Sequence, residues 1–145
     1  MSTLKDSTSE VERELIGCAN FTPAALAINA AAAPTFKTTS AYVYTVDGIF
    51  KGKAALAAQA FTAGHVAQAI GQTGYYVVGL DAAGAVSTTQ GIGSIPDVPN
   101  GITPVGIIKV VATSAVFTPG TSALDLAGTT ATYYDITVSP STATL

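Results

Sequence analysis

The side chains that carry most nucleophilic and acid–base chemistry are scarce in this chain. It has one histidine, His65, and one cysteine, Cys18. A Ser-His-Asp arrangement would have to be built on His65, which sits in Thr62-Ala63-Gly64-His65-Val66, and no Gly-x-Ser-x-Gly elbow presents a serine to it. A zinc site needs several nitrogen or sulfur ligands, and one Cys with one His does not supply them. Asp47, Asp81, Asp97, Asp125 and Asp135 are dispersed along the chain. Calcium cages and glycosidase carboxylate pairs need acids brought together. Most of these aspartates instead fall where turns form, because Asp hydrogen-bonds its own backbone there. Gly91-Ile92-Gly93 runs into Ser94-Ile95-Pro96, so a dinucleotide fingerprint lacks its third glycine and its helix. The residues therefore read as those of a non-enzyme, with no catalytic, cofactor or metal site.

Two short patterns carry little. Leu15-Ile16-Gly17-Cys18 looks like a lipoprotein cleavage box, but Ser7 to Glu14 is charged where an apolar stretch is required. Asn20-Phe21-Thr22 fits a glycosylation acceptor, which matters only in a secretory protein. The tyrosines are paired more tellingly, as Tyr42/Tyr44, Tyr75/Tyr76 and Tyr133/Tyr134. Such pairs in a Thr-rich sheet either pack in the core with hydroxyls at the rim or form a sugar- or protein-binding face.

The charge distribution is lopsided. Lys5, Asp6, Glu10, Glu12, Arg13 and Glu14 crowd the start, and no glutamate follows Glu14. Charged residues make up 10% of the chain, against a usual ~25%. The surface after residue 14 is built from Thr, Ser, Ala, Gly and Gln. A free monomer usually stays soluble through mixed charges, whereas a protein packed into an assembly needs them less. Net charge is −3 and only Lys51 and Lys53 lie close together, which argues against nucleic-acid binding. No apolar run approaches the about 20 residues of a membrane span. At 48% apolar residues the chain can build a core without disulfides.

The elements that would position these residues are mostly strands. Residues 1–14 read as a polar arm. Thr22-Pro23 resembles a helix cap followed by proline at the first helical position, which predicts a short Ala-rich helix over 24–33, ended by Pro34, with an Ala-rich linker of no fixed shape as the alternative. Ser40 to Val46 alternates, with Tyr42, Tyr44 and Val46 on one face. Asp47-Gly48 then signals a two-residue hairpin returning through Ile49 to Lys53. Gly74 to Leu80 is apolar on both faces, as suits a central strand or one covered by a partner. Further strands are expected at Ala85–Gln90, Val105–Ala112 and Thr129–Val138, with a long loop over Gly91–Pro104. Leu80–Gly84 and Leu124–Gly128 are alike, which convergent turn chemistry explains. This predicts an all-β fold, a small antiparallel β-sandwich or barrel over 35–145, preceded by an arm and helix over 1–34.

The region Phe36 to Val138 also resembles a group of tailed-bacteriophage capsid decoration, cement or head structural proteins. The likeness rests on Phe36-Lys37-Thr38-Thr39 leading into Tyr42-Val43-Tyr44-Thr45-Val46-Asp47-Gly48, and on Tyr75-Tyr76-Val77-Val78 with Leu80 to Gly84. It continues in Pro104 to Val110, and in Phe117-Thr118-Pro119-Gly120-Thr121 leading to Thr132-Tyr133-Tyr134-Asp135. The resemblance implies a structural virion protein, made in the host cytoplasm, that binds the major capsid protein at the capsid surface as a homo-oligomer, a dimer or trimer. It implies no catalytic residue, cofactor, nucleic acid or membrane. A receptor- or glycan-binding module of a fibre or spike is the alternative. Leu15, Ile16, Phe21, Leu26 and Ile28 lie outside the expected β body and are the candidate contacts with capsid protein or a sister subunit.

Overall fold

The computed structural model describes residues 17–137. Its strands are β1 (Ala19–Asn20), β2 (Leu26–Ile28), β3 (Phe36–Thr38), β4 (Tyr42–Val46), β5 (Ile49–Lys53), β6 (Thr73–Leu80), β7 (Val86–Ile92), β8 (Thr103–Ala112) and β9 (Thr129–Asp135). They form a four-stranded antiparallel sheet in the order β7-β6-β8-β9, a three-stranded sheet β1-β4-β5, and the ribbon β2-β3. The small sheet and the ribbon lie against one face of the large sheet, through β1 and β4 on β8 and β2 on β9. The described residues are thus all-β, in sandwich-like layers.

Alternation builds the core. Tyr42, Tyr44 and Val46 of β4 point inward, as does Phe36 of β3. The large sheet answers with Tyr76, Val78 and Leu80 of β6 and Val105, Ile108 and Val110 of β8. Phe61 and Phe117, from the loops, complete an aromatic cluster. Phe61 meets Tyr76 edge-on at 5.0 Å and Phe36 at 5.5 Å, while Tyr76 lies 6.0 Å from Phe117. Each such pair adds about 0.5–1.5 kcal/mol beyond the burial of its rings. The expected hairpin at Asp47-Gly48 is present, with both residues at positive φ (50° and 75°), the mirror-image turn that matches strand twist.

The expected Ala-rich helix over 24–33 is absent; that segment contains strand β2 instead. Ala25 and Ala32 have φ of 53° and 57°, in the left-handed region that no right-handed helix visits. The reason is tertiary. A helix of three turns is marginal in water. As a strand, the segment pairs Leu26 with Thr38 and Ile28 with Phe36. The Leu26 N–H donates to the Asp135 carboxylate at 3.2 Å, and the Ala32 N–H to both Asp125 oxygens at 3.1 and 3.0 Å. Leu26 enters the core against Gly106. Strands from both sides of the expected 34/35 boundary therefore pair with each other, β1 with β4 and β2 with β3. The arm of residues 1–14 lies outside the described residues, as does Val138 of the expected last strand.

Leu80–Gly84 and Leu124–Gly128 diverge structurally. Asp81 accepts from Ala83 and Ala85 within its own turn, at 2.9 Å each, whereas Asp125 reaches across to Ala32. The likeness is turn chemistry.

Gly106 tests the layer packing. A Cβ there would collide with the Leu26 side chain and lie 2.7 Å from the Tyr134 carbonyl oxygen, which is backbone and cannot rotate away. Gly106→Ala is expected to cost about 1–3 kcal/mol in urea unfolding. An unchanged midpoint would contradict the placement of β2.

Candidate functional site

The outer face of the large sheet follows from strand register. Tyr75 stands opposite Lys109, and Val77 opposite Ile107, across the β6–β8 pair. Ile107 stands opposite Tyr134, and Lys109 opposite Thr132, across the β8–β9 pair. Tyr76 points inward, so its neighbour Tyr75 must point outward; Tyr133 and Tyr134 divide in the same way. The result is a diagonal stripe of Tyr75, Ile107 and Tyr134 with Lys109 beside it.

The loop over 93–102 forms one wall. It folds back over β7 so closely that a Cβ at Gly91 would lie 3.0 Å from the Pro96 nitrogen. This brings Ile95 beside the stripe, where it remains 58% exposed; Tyr134 is 49% exposed. Tyr75, Ile95, Ile107, Lys109 and Tyr134 line a shallow groove of about 340 Å³. Its floor is apolar, and Lys109 is its charged member. Such a face can bury aromatic and aliphatic area against a partner while its rim hydroxyls and Lys109 fix orientation.

A second exposed apolar patch lies on the small sheet. Phe21 stacks on Phe50 with ring centroids 5.2 Å apart, and the Phe21 N–H donates to the Val43 carbonyl at 2.9 Å. Phe50 is 60% exposed. Of the residues expected to form an interface, Phe21 alone among those described reaches a partly open surface patch of this kind. Leu26 is buried in the core, and Ile28 is partly buried against it. Leu15 and Ile16 lie outside the described residues.

The groove residues were not singled out from sequence. Two signals pointed to them: the tyrosine pairs, and a strand at Gly74–Leu80 apolar on both faces. Neither reveals that β9 and the 93–102 loop supply Tyr134 and Ile95.

His65 has a structural setting. Its Nε2 lies 2.8 Å from the Thr88 hydroxyl, and its ring packs 5.8 Å from Tyr76. It belongs to a clasp over the β7 edge. There the Thr62 N–H donates to the Thr88 hydroxyl and the Thr88 N–H to the Thr62 hydroxyl, at 2.9 and 2.8 Å. The Val66 N–H donates to the Gln90 side chain, which donates back to the Val66 carbonyl, both at 2.8 Å. Behind the clasp, buried Gln68 donates to the carbonyls of Gln72 and Val110 and accepts from the Tyr76 hydroxyl. Cys18 is half-buried beside the core. Burial pushes the Tyr42 and Tyr133 hydroxyls up to about 12, so both stay protonated. Among the described residues, no group of three His, Cys, Asp or Glu is placed to hold a metal ion. No helix among them is long and apolar enough to cross a membrane.

Burial holds the His65 imidazole below its ordinary 6.5, with a hydrogen bond at Thr88 opposing this. The folded state therefore favours the neutral ring. Its contribution is fully present above pH ~6.5 and is lost as pH falls toward the depressed folded value. Stability measured against pH is expected to decline below pH ~6.5, and His65→Gln to flatten that part of the decline. A wild-type stability that rises on acidification through this window would contradict the assignment.

Comparison with known protein families, with curated proteins and with solved structures finds no match for this chain.

Proposed function

We propose that the protein is a structural component of a tailed-phage particle, which decorates and stabilises the capsid exterior by binding the major capsid protein. The observation that carries this reading is the apolar groove of Tyr75, Ile95, Ile107 and Tyr134 on an otherwise hydroxyl-rich sheet. Exposed apolar ground rimmed by polar residues is the usual mark of a protein-binding face. The sequence resemblance and the charge-poor body point the same way. Capsid contact is assigned to the outer face of β6, β8 and β9, because Leu26 is buried in the core and Ile28 is partly buried against it. Many copies on one lattice, as a dimer or trimer, would multiply a modest affinity per contact.

The tyrosines also favour a second reading, a glycan-binding module of a fibre or spike. Tyr75 and Tyr134 line the groove, and Lys109 offers hydrogen-bond donors beside them.

Binding to capsids assembled without this chain separates the two. Tyr75→Ala combined with Tyr134→Ala is expected to weaken capsid binding by about tenfold or more, as loss of central aromatic anchors does, with the circular dichroism spectrum unchanged. Phe21→Ala is expected to bind within about twofold of wild type. Undiminished binding by the tyrosine variant would remove the groove from the interface. Specific glycan-array hits lost in that variant, with no capsid binding by wild type, would favour the second reading.

A further inference from the structure

Among the described residues, β5 pairs with β4 on one side and with no strand on the other. The two-residue turn makes Val46 and Ile49 a hydrogen-bonded pair, so Lys51 and Lys53 bond to β4 as well. The backbone N–H and C=O groups of Phe50 and Gly52 therefore point to the open edge, and no backbone group among the described residues bonds them.

The two faces of this edge differ. On the outer face Phe50 is 60% exposed. Beside it lies a hollow over Gly52 of about 480 Å³, lined by Thr22, Ala41, Val43 and Ala54. On the inner face Lys51 and Lys53 border a polar groove whose far wall is the turn at Ala82–Gly84. Tyr44 also lines this groove. It is only 2% exposed, yet its hydroxyl stands at the groove, since a Cβ at Gly84 would lie 3.4 Å from it and 3.2 Å from the Lys53 Nζ. That hydroxyl makes no hydrogen bond among the described residues and is left to donate into the groove. Lys53 donates to the Gly84 carbonyl at 2.8 Å, and its ammonium has further donors. Asp81, the acid of the turn, is held by the Ala83 and Ala85 N–H groups at 2.9 Å each. The edge thus offers main-chain partners, donors on one face and apolar room on the other.

We propose that β5 is a docking edge for an extended segment of another protein, which carries carboxylates at alternate positions and adds to the sheet as an antiparallel strand. Main-chain bonds to Phe50 and Gly52 would supply affinity, and alternate side chains specificity. Positions opposite Lys51 and Lys53 are non-hydrogen-bonded, where cross-strand side chains approach most closely, so acids there meet the lysines and the Tyr44 hydroxyl. Apolar residues between them cover Phe50 and fill the hollow over Gly52. The lysines disfavour a second copy of this chain, because a two-fold pairing of β5 with itself about Lys51 sets like charges opposite each other. This inference does not depend on the particle assignment.

The probe is a blocked synthetic peptide, Thr-Glu-Leu-Glu-Val-Thr, compared with its charge-reversed form, Thr-Lys-Leu-Lys-Val-Thr. Full-length protein is titrated with each, read by anisotropy of a dye on the peptide and by amide hydrogen exchange. The acidic peptide is expected to bind at least about tenfold more tightly than the basic one, and Lys51→Glu/Lys53→Glu to reverse that order. Bound acidic peptide is expected to slow exchange of the Phe50 and Gly52 amides at least about tenfold. Gly52→Pro removes an edge N–H without breaking a bond to β4, and a Cβ there meets open space. It is expected to lose the acidic peptide. The lysine variant tests the proposal whether or not the proline variant folds. Failure of the acidic peptide to bind, or equal binding of the two peptides, would overturn the proposal. Acidic-peptide binding undiminished in folded Gly52→Pro would overturn strand addition and leave charge attraction alone. Slow exchange of both amides in the protein without peptide would overturn it too, since the edge would already be covered.

Discussion

Unpaired backbone at sheet edges is the constraint on which the rest of this molecule turns. A sheet edge carries a row of N–H and C=O groups that must find partners or water, and that invite other chains. Charged edge residues are the common defence, and this chain has few. Along the large sheet it covers its edges with other parts of itself. Along β7, Thr62 and Thr88 exchange hydrogen bonds and Gln90 holds both backbone groups of Val66. At β9, Asp135 accepts from β2, and the Asn20 side chain donates to the Ile136 carbonyl at 3.0 Å. The clasp over β7 also places Phe61 in the aromatic cluster and Gln68 beneath Tyr76, so edge protection and core assembly are one arrangement.

The same economy of charge shapes the outer face. Thr, Ser and Gly dominate the strands β7 and β9, and Lys109 is the charged side chain in the groove. With so few charges, the aromatic and aliphatic residues at the groove form an exposed apolar feature of the large sheet. Val77, on the same face, is almost fully buried. The loop over 93–102 forms one wall of the groove and leaves Tyr75, Ile107 and Tyr134 lining it.

Strands with strong alternation or clear turns were legible in the sequence. Tyr42, Tyr44 and Val46 face inward as their spacing implies, and Asp47-Gly48 makes the hairpin its residue types require. The strands at 73–80, 86–92, 103–112 and 129–135 are close to expectation. Residues 19–38 were not legible. Alanine gives strong helix propensity and little pattern, so local preference favours a helix there. What decides the matter is distant in sequence: Gly106 makes room for Leu26, and Asp125 and Asp135 supply acceptors to the segment's N–H groups. The groove was half legible, because the tyrosine pairs were visible while the strand order that joins Tyr75 to Tyr134 was not. His65 illustrates the reverse case, since a lone histidine drew attention and proves to be one member of the β7 clasp.

The covered edges of the large sheet and its apolar outer face suit the proposed attachment to a capsid lattice. Quantitative mass spectrometry of purified intact particles, comparing this chain with the major capsid protein, addresses that most directly. Capsid decoration predicts a fixed ratio of many copies per particle, set by the lattice and retained through purification. Absence from the particles, or only the few copies that a fibre or spike would contribute, would contradict it.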